Sequence, residues 1–171
     1  MPLFGQGLVA TRLARRAVLA MLVDQDRDTA LEACDALEGV ARRGDGWRSA
    51  QDACERVRHL PRTSETVAAI EGVRWANDSM GAAQGALDFP VDATVAASAR
   101  RCWDALAGDP RVCVIQMAIV MESDIDLIAF ACREANVHTY DGLGGHVFGR
   151  LAPCHPLALQ KPRRSLEEEF R

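Results

Sequence analysis

The 171-residue chain has few aromatic side chains, no paired-cysteine motif and no surplus of basic charge. Because aromatic residues make up only 5% of the chain and alanine is abundant, we expect a core of small side chains packed helix on helix. The six cysteines stand singly without a C-x-x-C motif, which excludes a zinc ribbon and a thioredoxin-type site. The formal charge of −4 argues against a nucleic-acid partner, because nucleic-acid binders carry basic residues that neutralise phosphates.

The chain also lacks a long hydrophobic run near its start. Residues 17–23 are apolar and follow Arg12, Arg15 and Arg16, a pattern that superficially resembles a targeting segment. The run is far shorter than the ~20 residues of a membrane span, and acidic residues follow it in place of a small-residue cleavage site. We therefore expect a cytoplasmic protein with reduced cysteines in its core and no membrane partner.

Apolar residues recur at spacings of three and four through most of the chain, which is typical of amphipathic helices. The pattern predicts an all-α fold, a single-domain helical bundle of six or seven helices over residues 1–159. Glycine and histidine accumulate between residues 138 and 155, where we expect an irregular C-terminal segment. Residues 160–171 combine proline, arginine and glutamate, and we expect them to form an exposed tail.

Two segments of the chain are near duplicates. Residues 66–69 and 94–97 both read Thr-Val-Ala-Ala, and Trp75 and Trp103 follow them at the same distance, so the copies are 28 residues apart. This offset corresponds to one helix and one connection. It predicts two repeat-like helices that present the same apolar face to one core.

Polar residues before the apolar stripes predict where helices begin. The candidate N-caps are Asp28 or Thr29, Asp45, Thr63 or Ser64, Asp92, and Ser123 or Asp124. The last pair separates residues 112–121, the most apolar run, from an amphipathic helix that ends near Asn136. We interpret the run as a wholly buried helix, with a buried strand as the alternative, since periodicity alone does not distinguish them.

Charged clusters along the helices are interpreted as ordinary surface. The three arginines of the first helix are expected on solvated faces, with their stems along apolar surface, and a basic binding face is the alternative. The acids Glu122, Asp124 and Asp126 are expected at a helix start, where the helix dipole favours negative charge.

The glycine- and histidine-rich segment holds the candidate site for chemistry. Its candidate zinc ligands are Cys132, His138, Asp141, His146, Cys154 and His155. Glycine-rich backbone can bend to bring such side chains to one ion. However, their spacing matches no standard zinc finger and contains no i, i+4 helical pair. Ordinary loop histidines with a core cysteine are the alternative.

Two weaker patterns occupy the same segment. The glycines between residues 142 and 145 suggest a phosphate-binding loop, but the Lys-Ser/Thr pair of a P-loop is absent. A compact turn over the core is the alternative. Cys132 or Cys154 with His138 or His146, and with Asp141 to orient the histidine, also has the residue types of a nucleophile–base pair.

Two functional hypotheses follow. The first is a small acidic helical protein-interaction module without catalytic activity: an adapter, an inhibitor or an immunity-type protein. It binds another protein through an apolar patch around Trp47 or Trp75. The second is a metal-dependent enzyme or sensor with zinc bound in residues 132–155. The sequence contains no assembled catalytic motif, which favours the first.

Overall fold

The structure is a computed structural model that describes residues 1–85 and 91–161. For residues 91 and 92 it describes the helical backbone but not the side chains. Seven helices are present in these residues: α1 (Leu3–Met21), α2 (Asp24–Arg43), α3 (Trp47–Arg58), α4 (Val67–Ala83), α5 (Val91–Ala107), α6 (Val114–Glu134) and α7 (Gly144–Phe148). The predicted all-α fold is therefore confirmed. Within the same residues, no helix has both the length and the apolar character needed to cross a membrane.

Helix α1 lies at the centre of the fold and is buried on nearly all sides. Helices α2, α4, α5 and α6 pack against it, and even its polar residues Thr11, Arg12 and Arg16 are buried. Small residues let the neighbouring helices come close, since a Cβ added at Gly72 of α4 would be 3.8 Å from the Cα of Ala14. This agrees with the predicted core of small side chains.

Helices α4 and α5 pack on each other over their length and run antiparallel. The Ser79 hydroxyl donates to the Val95 carbonyl at 3.1 Å. Further along α5, the Cys102 thiol donates to the carbonyl of Gly72, which lies earlier in α4, at 3.4 Å. Later residues of α4 therefore face earlier residues of α5.

The duplicated sequence pattern lies on these two helices, but its copies do not present the same face. Val67 is exposed whereas Val95 is buried, and Ala69 is buried whereas Ala97 is exposed. The expectation of a common apolar face is wrong for the tetrads. The reason is their neighbours: α4 packs on α1, α2, α3 and α5, whereas α5 packs mainly on α1 and α4.

Helix α2 begins earlier than the capping pattern predicts. It starts at Asp24, ahead of the predicted caps Asp28 and Thr29, and the Arg27 amide donates to the Val23 carbonyl at 3.2 Å. The first turn carries acidic residues that suit the helix dipole, so the acids belong to the helix and do not precede it.

The next two helices also start without their predicted caps. Gly46, rather than Asp45, is at the N-cap position of α3, and a glycine has no side chain to bond the amides of the first turn. Thr63 lies in a separate turn before α4, where its amide donates to the Thr66 hydroxyl at 2.9 Å; Ser64 lies in the same turn. The predicted cap Asp92 has a side chain outside the described residues.

Helix α6 is continuous through the predicted break. A new helix does not start at Ser123 or Asp124, because the Asp124 carboxylate bonds arginines of α1 instead of its own backbone. The helical interpretation of the apolar run is confirmed from Val114 onward. Asn136 has a φ of 53° and follows the last turn, so the predicted end near this residue is confirmed.

The glycine-rich segment turns over α2 and α6 and contains the short helix α7. A Cβ added at Gly142 would lie 2.4 Å from the carbonyl carbon of Arg43, so only glycine allows the two backbones to cross here. Leu143 and Val147 are buried, as the compact-turn interpretation predicts. These glycines shape a backbone contact.

Residues 151–161, the C-terminal strap, run in extended form across α1. The Leu157 amide donates to the Arg16 carbonyl at 3.1 Å, and the Gln160 amide donates to the Arg111 carbonyl at 2.7 Å. Gln160 and Lys161 are exposed, as expected for the tail. Residues 162–171 of the predicted tail lie outside the described residues.

Candidate functional site

A buried cluster of charges joins α1 to α6. Nη2 of Arg12 lies 3.1 Å from Oδ1 of Asp124, and Nη2 of Arg16 lies 3.3 Å from both carboxylate oxygens. Arg12 is 4% exposed, and Arg16 and Asp124 are each 7% exposed. One buried carboxylate therefore accepts hydrogen bonds from two buried arginines.

The same arginines hold the C-terminal strap. Arg12 donates to the Ala152 carbonyl at 2.7 Å and Arg16 to the His155 carbonyl at 3.4 Å. The Nε atoms of both arginines are buried and have no hydrogen-bond partner among the described residues. The expectation of solvated arginines is thus wrong for Arg12 and Arg16, because α6 and the strap cover the polar side of α1. Arg15 is half-buried and pairs with carboxylates of α2.

The acidic cluster is also placed differently from the prediction. Glu122, Asp124 and Asp126 lie in the middle of α6, so the helix dipole does not account for them. Asp124 turns inward to the arginines, and Glu122 and Asp126 are exposed. The first has a structural role in the core, and the other two are available on the surface.

An apolar cleft opens between α5 and α6. Both helices pack on α1 and hardly contact each other, so a space of about 530 Å³ remains between them. We call it the α5–α6 cleft. Its lining comprises Met1, Gln6 and Val9 at the floor, Ala96, Ala99, Arg100 and Trp103 on the α5 wall, and Ala118, Met121, Glu122 and Ile125 on the α6 wall.

The apolar surface continues from the cleft over the outer face of α6. Ile115 is 74% exposed and Ile119 is 62% exposed, although they belong to the run expected to be wholly buried. That expectation is wrong because α6 packs on α1 and α7 only through its opposite side, where Met117 and Ile128 are buried. A second layer of helix is missing over this face in the described chain.

The rims of the cleft differ in charge. Arg100 on the α5 wall is paired with Asp104, whose carboxylate oxygen is 3.1 Å from its Nε. Glu122 and Asp126 on α6 have no ion pair or hydrogen bond through their side chains among the described residues. Uncompensated negative charge therefore borders apolar surface on one side.

The structure does not bring the predicted zinc ligands together. His138, Asp141, His146 and His155 are exposed, Cys154 is half-buried and Cys132 is buried. No three His, Cys, Asp or Glu side chains of the described residues are grouped to hold a metal ion. The zinc site stays a prediction.

Burial affects the ionisation of the two cysteines in the predicted zinc set. It raises the pKa of Cys132 and of Cys154 above the ordinary thiol value, which disfavours the free thiolate that a nucleophile needs. In Cys154 the nearby Arg12 and Arg16 oppose this shift without reversing it. The thiols of Cys34, Cys54 and Cys102 are buried, as expected for core residues.

The two tryptophans proposed as binding residues have structural partners. Trp47 is half-buried, and its Nε1 lies 3.1 Å from both the carbonyl and the side-chain oxygen of Asn77. Trp75 is half-buried, with the guanidinium carbons of Arg74 and Arg101 each 4.8 Å from its ring centroid. The apolar cleft lies elsewhere, on α5 and α6.

No protein-family model, curated protein or solved structure matches the chain. Sequence reasoning missed the cleft because a helix that is apolar on all faces is predicted to be wholly buried, and the sequence does not show which face lacks a neighbouring helix. It missed the charge cluster although Arg12 and Arg16 are spaced i, i+4 within the apolar stripe of α1.

Proposed function

We propose that this protein is a non-catalytic interaction module that binds a helix of another protein in the α5–α6 cleft. It would act as an adapter, an inhibitor or an immunity-type protein in the cytoplasm. One observation carries the proposal: the cleft is almost entirely apolar and continues onto the exposed side chains of Ile115 and Ile119. Contiguous exposed apolar surface with polar rims is typical of protein-interaction sites.

The shape of the cleft favours a helix as the occupant. Its walls are two helices seated on a third. Along each wall the lining spans eight residues, from Ala96 to Trp103 and from Ala118 to Ile125, so its ends are about 10 Å or two helical turns apart. Small side chains on both walls leave room for a backbone to approach, and a partner helix would insert anchors spaced i, i+3 and i+4.

A partner helix that covers the exposed isoleucines would gain binding free energy from the hydrophobic effect. Covering a large aliphatic side chain contributes about 1.5–3 kcal/mol, and Ile115 and Ile119 lie one turn apart on the same face. These two side chains and the cleft lining are the apolar surface that would offset the cost of association.

Photo-crosslinking tests the proposal. Ile119 is replaced by benzoylphenylalanine, with Asp52 on α3, also exposed, as the control position, and both proteins are irradiated in an extract of the cells that make the protein. The expected result is one protein labelled from position 119 only, through a segment that forms an amphipathic helix. Equal labelling from both positions, or none from 119, would contradict the proposal.

A matched pair of substitutions then tests the cleft with the purified partner. Ala96 and Ala97 are consecutive exposed residues of α5, but only Ala96 lines the cleft. Because an arginine at position 96 would fill the cleft, we expect Ala96→Arg to weaken binding about tenfold or more. Ala97→Arg should bind as the wild type does. Equal binding by both variants would place the partner elsewhere.

A further inference from the structure

Two carboxylates beside the α5–α6 cleft are left without partners. Glu122 and Asp126 are spaced four residues apart on α6, so their side chains are neighbours on one face of the helix. Both are exposed, and neither has an ion pair or a hydrogen bond through its side chain among the described residues.

Several other acids of this fold are paired, although exposed acids such as Asp52 and Asp141 are not paired with any described residue. Asp104 pairs with Arg100, Glu134 pairs with Arg150, and Glu71 contacts two arginines. The cation nearest to the cleft on the opposite wall is Arg100, which its own helix already neutralises. The negative charge at the α6 rim is therefore not balanced from across the cleft.

The carboxylates also have a fixed position relative to the apolar anchors. Ile115, Ile119, Glu122 and Asp126 recur at spacings of three and four, so they follow one face of α6 from its apolar end to its acidic middle. From Ile119 to Asp126 is seven residues, a distance of about 10 Å along the helix. A ligand that covers the isoleucines reaches the carboxylates two turns further on.

We propose, on the basis of the function assigned above, that the cleft selects an amphipathic helix with two basic side chains one turn apart beside its apolar stripe. Lysine or arginine at those positions would meet Glu122 and Asp126 while the stripe covers Ile119 and the cleft. An acidic helix would place like charges together at the same rim. The net charge of −4 on the whole chain also attracts a basic partner over longer distances.

Three designed peptides of 18 residues test this selection with the full-length protein. They share one leucine stripe and differ only at two flanking positions one turn apart, which are Lys-Lys, Gln-Gln or Glu-Glu. Their affinities are measured by fluorescence anisotropy at low salt. Two exposed ion pairs should make the Lys-Lys peptide bind about fivefold more tightly than the Gln-Gln peptide, and the Glu-Glu peptide should bind most weakly.

Substitution at the rim identifies the carboxylates responsible. The double variant Glu122→Gln with Asp126→Asn should lose the ranking, so that the Lys-Lys, Gln-Gln and Glu-Glu peptides bind it with the same affinity. Glu122→Lys with Asp126→Lys should reverse the order, so that the Glu-Glu peptide binds best. In 0.5 M salt the wild-type preference should nearly disappear, because exposed charges are screened.

The outcomes separate this inference from the proposed function. If all three peptides bind equally and Ala96→Arg weakens each of them, the cleft binds helices and the basic preference is wrong. If Ala96→Arg changes none of the affinities, or no peptide binds, both the inference and the function fail. If the protein alone sediments as a dimer that Ala96→Arg dissociates, a second copy occupies the cleft and the basic helix is overturned.

Discussion

Arg16 of α1 and Asp124 of α6 are 108 positions apart in the chain, and Nη2 of the arginine lies 3.3 Å from both oxygens of the aspartate. Arg12 shares the same carboxylate, and both arginines reach carbonyl groups of the C-terminal strap. This cluster fixes α6 on α1 by its inner side. The outer face of α6 and the cleft beside it depend on that placement.

Removal of the shared carboxylate should be strongly destabilising. Asp124→Asn leaves two buried guanidinium groups without a counter-charge, and breaking a buried ion pair in this way costs about 3–5 kcal/mol. Urea unfolding followed by circular dichroism measures the change. Asp126→Asn on the exposed face of the same helix is the control and should change the free energy of unfolding by less than about 0.5 kcal/mol.

Removal of one arginine should be better tolerated than removal of the carboxylate. Arg16→Met leaves Arg12 and Asp124 as a balanced pair and relieves a buried Nε atom that has no partner in the described structure. We therefore expect Arg16→Met to cost less free energy of unfolding than Asp124→Asn. If Arg16→Met costs more than Asp124→Asn, the excess positive charge of the cluster does not determine its contribution to stability.

The backbone crossing at Gly142 should not accept a side chain. Gly142→Ala would place a Cβ 2.6 Å from the Gly44 amide nitrogen. Such overpacking should lower the free energy of unfolding by about 1–3 kcal/mol or more. Gly145→Ala, where a Cβ meets nothing within 4 Å, is the matched control and should be neutral or slightly stabilising. Thermal melts of the two variants compare them, and equal melting temperatures would refute the close crossing.

The turn before α6 should make stability depend on pH. Arg111 donates from Nε and Nη2 to Asp109 at 3.1 and 2.8 Å, and these bonds lower the pKa of Asp109 below its ordinary value of 3.8. Because the pKa of Asp109 is lower in the folded than in the unfolded chain, its ionised form stabilises the fold above about pH 4. This contribution is lost as the pH falls through the folded-state pKa.

Asp109→Asn tests this contribution. The variant should be less stable by about 1–3 kcal/mol at pH 7, and the difference from the wild type should stay constant to about pH 5 and shrink below pH 4. Asp104→Asn, which removes an exposed ion pair with Arg100, should show almost no difference at any pH. A difference for Asp109→Asn that persists unchanged at pH 2 would refute the ion pair as its cause.

Metal removal should leave the protein unchanged. Because the described residues contain no group of three metal ligands, we expect the same melting temperature with and without a chelator, and much less than one zinc per chain by mass spectrometry. One zinc per chain, together with a lower melting temperature after chelation, would instead support the metal-dependent alternative and justify substitution of His138 and His146.

The helical fold could be predicted because its signal is local. Apolar residues spaced by three and four, such as Leu37, Val40 and Ala41, reveal one buried side of a helix whatever its neighbours are. Helix starts were predicted less well, since Asp28 and Asp45 have the residue type of a cap without its role. Tertiary packing decided where those helices begin.

The site could not be predicted in the same way because it depends on contacts between distant segments. A helix that is apolar on all sides gives no sign that Ile115 and Ile119 remain uncovered, since exposure depends on whether another helix lies beside it. Similarly, an arginine in an apolar stripe has the same local pattern whether it reaches solvent or an aspartate over 100 positions away, as Arg12 does.

The five isoleucines of the chain allow the most direct test of the cleft. Ile115, Ile119 and Ile125 lie on or beside it, whereas Ile70 and Ile128 are buried in the core. Methyl-labelled protein is titrated with the Lys-Lys peptide and followed by NMR. We predict that the first three methyl signals shift with saturation and that those of Ile70 and Ile128 do not. Shifts spread over all five signals, or absent from Ile119 and Ile125, would contradict binding in the α5–α6 cleft.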